Sequence, residues 1–291
     1  MRDVASLSCC APAPVLESGE AVCLFAFALS AEPHHGPSGG GDPGGDDLAG
    51  GDPAGRGLLL HRIGSVTALV GIVSLADYCG AGAERRLADL AWLAPRARRH
   101  AEIVAQTMQW SPVFPAPFGT LYKSFDNLTA FIQRHHATIV GFLRTVVDKE
   151  EWELRADGQF DSPETLDQLA CAARPEWRDL PKGVRYMRLC RDRSALLDFG
   201  RVEATALVSD LIKELQPLTD AFRQHDNGQR MESSATESIA RYALLVAKTN
   251  AATLCESVRE VALVASRRHV AITLSGPWAP FSFRPDLNAP T

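Results

Sequence analysis

The chain has 291 residues, room for one large domain or two ordinary ones, and its 46% hydrophobic and 22% charged residues are those of a globular protein. Its net charge of −5 divides evenly, 11 Lys+Arg against 13 Asp+Glu in residues 1–147 and 19 against 22 in residues 148–291. Neither half has the basic excess that phosphate-backbone binding requires, so nucleic acid is excluded as an expected partner.

The longest apolar runs, "AVCLFAFALSA" and "VTALVGIVSLA", have 11 residues each, where a membrane-spanning helix needs about 20. Glu17 and Glu20 precede the first run and Arg2 is offset by Asp3, flanks unlike those of a secretory signal; the expected location is cytoplasmic. Seven cysteines without a CxxC spacing spell neither a zinc ribbon nor a dithiol redox site. Most are expected reduced and buried as small hydrophobes.

Residues 1–20 have no periodicity and read as a flexible arm. "VCLFAFAL" (22–29) is a short apolar run of the kind a buried strand shows. The segment 32–57, rich in Gly, Pro and Asp, has nothing to bury and is expected to be a disordered insertion. His34 and His35 near Asp42, Asp46 and Asp47 make no metal site there, since nothing fixes ligand geometry. "LLLHRI" (58–63), a Gly64-Ser65 turn and "VTALVGIVSL" (66–75) form a hairpin. Helices are predicted at 83–93 and 96–109, the second with Ala97, Ala101, Val104 and Met108 inward and His100 at the border of that stripe.

"SPVFPAPFGTLY" (111–122) carries prolines at 112, 115 and 117. Proline lacks a donor N–H, so the segment is an edge strand or an extended surface segment. Gly119 permits a sharp turn, and Ser124 caps a helix over 125–147 that buries Leu128, Phe131, Ile132, His135, Ile139, Phe142 and Val146. His135 and His136 are adjacent and cannot form the i, i+4 pair of a helical zinc site.

"EEWELRA" (150–156), with Trp152 and Leu154 between charges, reads as a half-buried strand, followed by a weak helix near 163–173. The segment 183–226 has the strongest helical pattern, with Ala204, Val208, Leu211, Leu215, Leu218 and Phe222 in one stripe. Uninterrupted it would run some 60 Å, with Pro217 kinking or ending it. "SIARYALLVA" (238–247) is a strand, 250–266 a helix with Leu254, Val258, Val261 and Ala265 inward, and "VAITLS" (270–275) the last strand. One strand is then missing from a ferredoxin-like order, and "QRMESSA" (229–235) is the candidate for it.

The expected fold is therefore α+β in two domains. An N-terminal α+β domain, 21–147, holds a small mixed sheet; a C-terminal ferredoxin-like sandwich, 148–291, contains the long helix.

No chemistry is spelled out. "GAGAERR" (80–86) lacks the third glycine and the Lys-Ser/Thr of phosphate loops, and no HExxH or GxSxG occurs. The pairs Glu150/Glu151 and Asp46/Asp47 do not form a positioned acid–base pair. The chain is read as a non-enzyme, with no cofactor and no metal.

The C-terminal "LSGPWAPFSF" is the most informative stretch. Gly276 and Pro277 stop the ladder after Ser275, Pro277 and Pro280 stiffen the backbone, and Trp278, Phe281 and Phe283 become rigid apolar anchors. Each ring can bury about 150–250 Å², either in the C-terminal core or against a partner.

This ending resembles that of the gas vesicle GvpL/GvpF family, approximately Gly-Pro-Trp-Pro-Pro-Tyr-Ser-Phe. "SPVFPAPFGTLYKS", with Pro115, Phe118, Gly119 and Thr120, is similar to the family's Pro-rich segment ending in Phe-Gly-Thr. "KEEWELRA", with Trp152, and "RYALLVAKTNAATLCESV" match in order. Ala279 stands for the first of two prolines, Phe281 for the tyrosine, and Pro117 where the family has arginine before Phe-Gly-Thr. The resemblance implies a two-domain accessory protein of vesicle formation. Such a protein associates with the small, very hydrophobic gas vesicle shell subunit and with other gas vesicle accessory proteins, and assists shell assembly or enters the shell as a minor part. Candidate contacts are the edge 111–119 and exposed faces of the long helix. The alternative function, from a different class, is a ligand-sensing regulatory protein with a ferredoxin-like domain.

Overall fold

The structure, a computed structural model, describes residues 14–30, 57–160, 162–225 and 236–287. Contacts divide it into two compact units, one running to Val147 and resuming at Ala279, the other Asp148–Trp278. The tail from Ala279 therefore groups with the N-terminal unit, whereas the sequence reading gave it to 148–291.

The first unit contains β1 (Glu20–Leu29), β2 (Leu59–Ile63), β3 (Val66–Ser74), short α1 (Leu75–Tyr78) and α2 (Ala83–Ala88), α3 (Leu90–Thr107), β4 (Val113–Tyr122) and α4 (Phe125–Thr145). Its sheet has the order β2-β3-β1-β4 and is antiparallel throughout, not mixed. All of β3 from Val66 to Val73 is buried, as is most of β1, because both faces are covered. Continuous apolar runs, without alternation, are what two-sided burial demands. On one face α4 touches all four strands, burying Leu128, Ile132, Ile139 and Leu143 completely, worth about 1.5–3 kcal/mol each. On the other lies α3, with Ile103 and Val104 against Ala26, Ala28, Leu69 and Val113.

The sequence misplaces that inward stripe of α3. Ala101 is exposed, and the buried positions are His100, Ile103, Val104 and Thr107. The helix also begins afresh at Leu90, where the Asp89 carboxylate accepts from the Ala91 N–H, and runs through Pro95 rather than stopping there. Proline already has a helical φ and forgoes only one backbone bond.

The second unit contains β5 (Lys149–Gly158), α5 (Pro163–Ala173), α6 (Lys182–Leu215), β6 (Ala221–His225), β7 (Glu237–Ala247), α7 (Ala251–Ser266) and β8 (Val270–Trp278). The order β6-β7-β5-β8, all antiparallel, is ferredoxin-like. Counted within each unit, the first sheet has the same order. Here one sheet face carries the core: Leu154, Leu244 and Val246 meet Leu211 and Leu215 of α6 and Leu254 and Val258 of α7. The missing strand is Ala221–His225, which the sequence folded into the long helix; residues 229–235 lie outside the described residues. Pro217 ends the helical bonding, and Phe222 pairs with Leu244 with its ring exposed, not in a helical stripe.

Among the described cysteines only Cys23 is buried as expected; Cys79, Cys190 and Cys255 are exposed and Cys171 is intermediate, while Cys9 and Cys10 lie outside the described residues. Among the described residues no helix is long and apolar enough to cross a membrane.

We propose that Asp148–Trp278 is also a folding domain. A fragment of those residues is expected to melt in one cooperative transition by circular dichroism; a non-cooperative melt removes the proposal.

Candidate apolar interaction site

The predicted site residues fall in two places. Trp152, Gly276, Pro277 and Trp278 meet at the β5–β8 edge of the second unit. Glu153 pairs with Ser275 and Glu151 with Trp278, leaving Gly276 and Pro277 opposite Trp152 alone. The ladder is thus not stopped after Ser275 as expected; it bulges and resumes. A bulge accommodates a proline that cannot donate. The Gly276–Pro277 peptide is cis, and Gly276 has φ +155°. A Cβ on Gly276 would stand 2.8 Å from the Trp152 ring. The indole Nε1–H of Trp152 donates to the buried Glu150 carboxylate at 2.9 Å, which fixes the ring under the turn.

In the first unit, Pro115, Phe118, Gly119 and Thr120 lie on β4, which is the sheet's outer strand as expected. Leu24 pairs with Thr120 and Ala26 with Pro115, so residues 116–119 arch out of the ladder opposite Phe25. Gly119, at φ +77°, closes the arch, and the Thr120 hydroxyl donates to the Pro117 carbonyl at 2.7 Å. The Phe118 ring meets His100 of α3 edge-on at 5.8 Å and lies tilted 6.2 Å from Tyr78 of α1. His100 is buried, and its Nε2–H donates to the Ala116 carbonyl at 3.0 Å. A carbonyl only accepts, so Nε2 carries the proton and Nδ1 is left without a hydrogen-bond partner. Burial pushes the pKa of this imidazole down.

Pro280, Phe281 and Phe283 belong to the tail of this same unit. The buried members of the tail are Ala279 and Pro280. Ala279 enters the α3-side core among Ala26, Ala28 and Val113. Phe281 stays 37% exposed, Phe283 is intermediate, and Trp278 on the other unit is 51% exposed. Trp278 and Phe281 thus keep part of their surface in solvent while Phe283 is partly buried, so the rings are not wholly enclosed in a core. At Ala279 a small side chain fits beside Ala26 and Ala28 of the sheet.

Beyond Phe283, Arg284, Asp286 and Leu287 line a cavity of about 260 Å³ on the α4 side, together with Leu24, Phe27, Phe114, Pro117, Tyr122 and Phe131. The tail thus runs past outer strand β4, from the α3 side to the α4 side. Sequence reasoning missed this cavity because it requires the tail to return to the first sheet. Burial raises the Tyr122 pKa to about 12, so its hydroxyl is protonated at neutral pH. Among the described residues, no group of three His, Cys, Asp or Glu is arranged to hold a metal ion.

An outer strand broken by prolines that carries Phe-Gly-Thr, and a Gly-Pro-Trp turn, are thus both built into this fold. The model of the family "Gas vesicle synthesis protein GvpL/GvpF" matches residues 23–285. The chain belongs to that family. It is 27% identical over 227 residues to gas vesicle protein L of Streptomyces sp. strain CB03234, covering 77% of this chain and 82% of that one. To gas vesicle protein L2 of Halobacterium salinarum it is 26% identical over 186 residues, 60% and 64% of the two chains. Crystal structures of GvpF share the fold: that from Anabaena sp. PCC7120 at a TM-score of 0.63 and 14% identity, covering 92% of this chain and 99% of its own. That from Microcystis aeruginosa gives 0.58 and 12%, covering 91% and 99%.

Two consequences of the geometry can be measured in this GvpL/GvpF protein. Gly276→Ala should cost about 1–3 kcal/mol in urea unfolding, and less in a Trp152→Ala background, where only the backbone conformation remains strained. An equal cost in both backgrounds would show that the ring is not the obstacle. The second concerns acid. Because the His100 pKa is lowered on folding, the unfolded chain takes up its proton first. Stability is then constant above the unfolded value of 6.5, declines as pH falls below it, and levels off at the folded pKa. His61, also lowered by burial, adds in the same sense. His100→Gln keeps an N–H for Ala116 and should flatten part of that decline between about pH 7.5 and 5; an unchanged slope would count against it.

Proposed function

We propose that this gas vesicle protein binds the small, very hydrophobic shell subunit, together with other gas vesicle accessory proteins, during vesicle formation. The observation that carries the reading is the tail. Its backbone is stiffened by prolines and anchored through Ala279, while the ring of Phe281 stays exposed. It lies in the same unit as a cavity lined by Phe27, Phe114 and Phe131 at the outer strand. A shell subunit that has not yet assembled exposes apolar surface and aggregates. A binder that offers preorganised apolar contacts beside a sheet edge shields that surface at low entropic cost. Pro115, Phe118, Gly119 and Thr120 shape the edge, and Pro280, Phe281 and Phe283 shape the tail. Trp152, Gly276, Pro277 and Trp278 form the corresponding turn on the second unit.

This chemistry needs no bond made or broken, in keeping with a non-catalytic role. The test is capture of purified shell subunit by the full chain, by Phe281→Ser, and by a chain ending at Trp278. Phe281→Ser is expected to weaken capture by about tenfold or more with an unchanged melting temperature. Undiminished capture by both altered chains would remove the tail from the binding surface.

A further inference from the structure

We propose that the N-terminal half of α6 is a docking surface for an acidic amphipathic helix of a protein partner. Residues 174–193 hold seven Lys+Arg against three Asp+Glu, a net of +4 in a chain whose total is −5. The buried residues of α6 begin only at Leu196. Before it, Leu189 is partly buried with Trp177, Leu166 and Leu196, whereas Tyr186 is 68%, Met187 73% and Val184 43% exposed. At about 3.6 residues per turn, Tyr186, Cys190 and Met187 follow one another round the helix, from the margin of the Leu189–Leu196 face to the side opposite it, with Val184 further round. Lys182 and Arg193 lie between Tyr186 and the packed face, Arg191 lies on the other side of Met187, between it and Val184, and Arg188 comes next beyond Val184.

The charges do not serve the helix itself. Lys182 and Arg185 stand in its first turn, no acid does, and Pro181 supplies no side-chain cap, the reverse of what the helix dipole favours. By contrast, α4 and α5 begin with capping serines and with Asp126 and Glu164. Nor are the charges all consumed locally. Arg185 pairs with Asp167 of α5 at 2.9 Å and Arg188 lies over the Trp177 ring, but Arg174 and Arg191 share one carboxylate, Asp192, and Lys182 enters no ion pair among the described residues. An apolar stripe with cationic flanks is complementary to a helix whose own apolar stripe is flanked by Glu or Asp. The stripe is short and the opposite side of α6 is packed, which suits a helix better than a lipid surface, where a long free apolar face is needed.

The surface lies in the second unit and excludes the tail, so its failure and that of the shell-subunit reading are separable. The probe is a fluorescein-labelled helical peptide with Leu at three- and four-residue steps and Glu on both flanks. Its control has Lys in place of every Glu. Anisotropy with the full chain should show binding of the Glu peptide, weakening as salt rises from about 50 to 300 mM, and none of the Lys peptide. Tyr186→Ser/Met187→Ser and Lys182→Glu/Arg191→Glu should each weaken binding by about tenfold or more with unaltered melting. Equal binding of the two peptides, no binding of either, or full binding by both variants overturns the proposal. So does binding to phosphatidylglycerol vesicles without binding of the Glu peptide, which would assign the surface to a membrane.

Discussion

A sheet buried on both faces is the constraint from which the first unit's architecture follows. Every side chain of β3 from Val66 to Val73 is out of water, so each face must be covered by its own helix, and neither α3 nor α4 is dispensable. Two-sided burial also forbids charge on the central strands, which is why β1 and β3 read as unbroken apolar runs. It concentrates every problem at the rim. The outer strand β4 must end hydrogen bonding on one side without inviting another chain. Pro115 and Pro117 remove two donors, residues 116–119 arch away from Phe25, and the tail passes alongside.

The second unit solves a simpler problem with the same strand order. Its sheet has one apolar face, covered by α6 and α7, and the other face carries pairs such as Arg241 with Glu153. One-sided burial permits alternation, and the half-buried pattern of Trp152 and Leu154 among charges is its trace in the sequence. Edge strand β8 is interrupted by a two-residue bulge opposite Trp152. In both units the outermost pairing is broken by proline and glycine, and an aromatic residue, Phe25 or Trp152, stands opposite the break.

How much of this was legible follows from what each residue type reports. Proline reports on its own backbone, so the edge status of 111–122 was readable from three letters. Helical stripes report on amphipathicity, so α4 and α7 were placed within a residue or two. The failures share a cause. The stripe on α3 was misassigned because His100 counts as polar, although one bond to the Ala116 carbonyl lets the ring be buried. Strand β6 was lost because Phe222 continues a helical period by coincidence, and only pairing with β7 decides its state. The tail's return, the cavity beside Tyr122 and the core position of Ala279 depend on contacts more than 100 residues apart in sequence, which no local pattern encodes.

Ala279 also bears on why an aromatic ending should be useful to a protein of this kind. A tail held by its own rings would spend them on its own core, leaving nothing to offer a partner. Held by Ala279 and Pro280, it leaves part of the Phe281 ring at the surface. Proline limits the backbone states that binding would otherwise have to freeze, so an exposed phenylalanine on such a segment contributes most of its buried area to association. The same exposure on a flexible tail would favour indiscriminate sticking. Rigidity is what would make an exposed aromatic selective, and the sources of it in this tail are Ala279 packed beside Ala26 and Ala28 and the prolines of the chain.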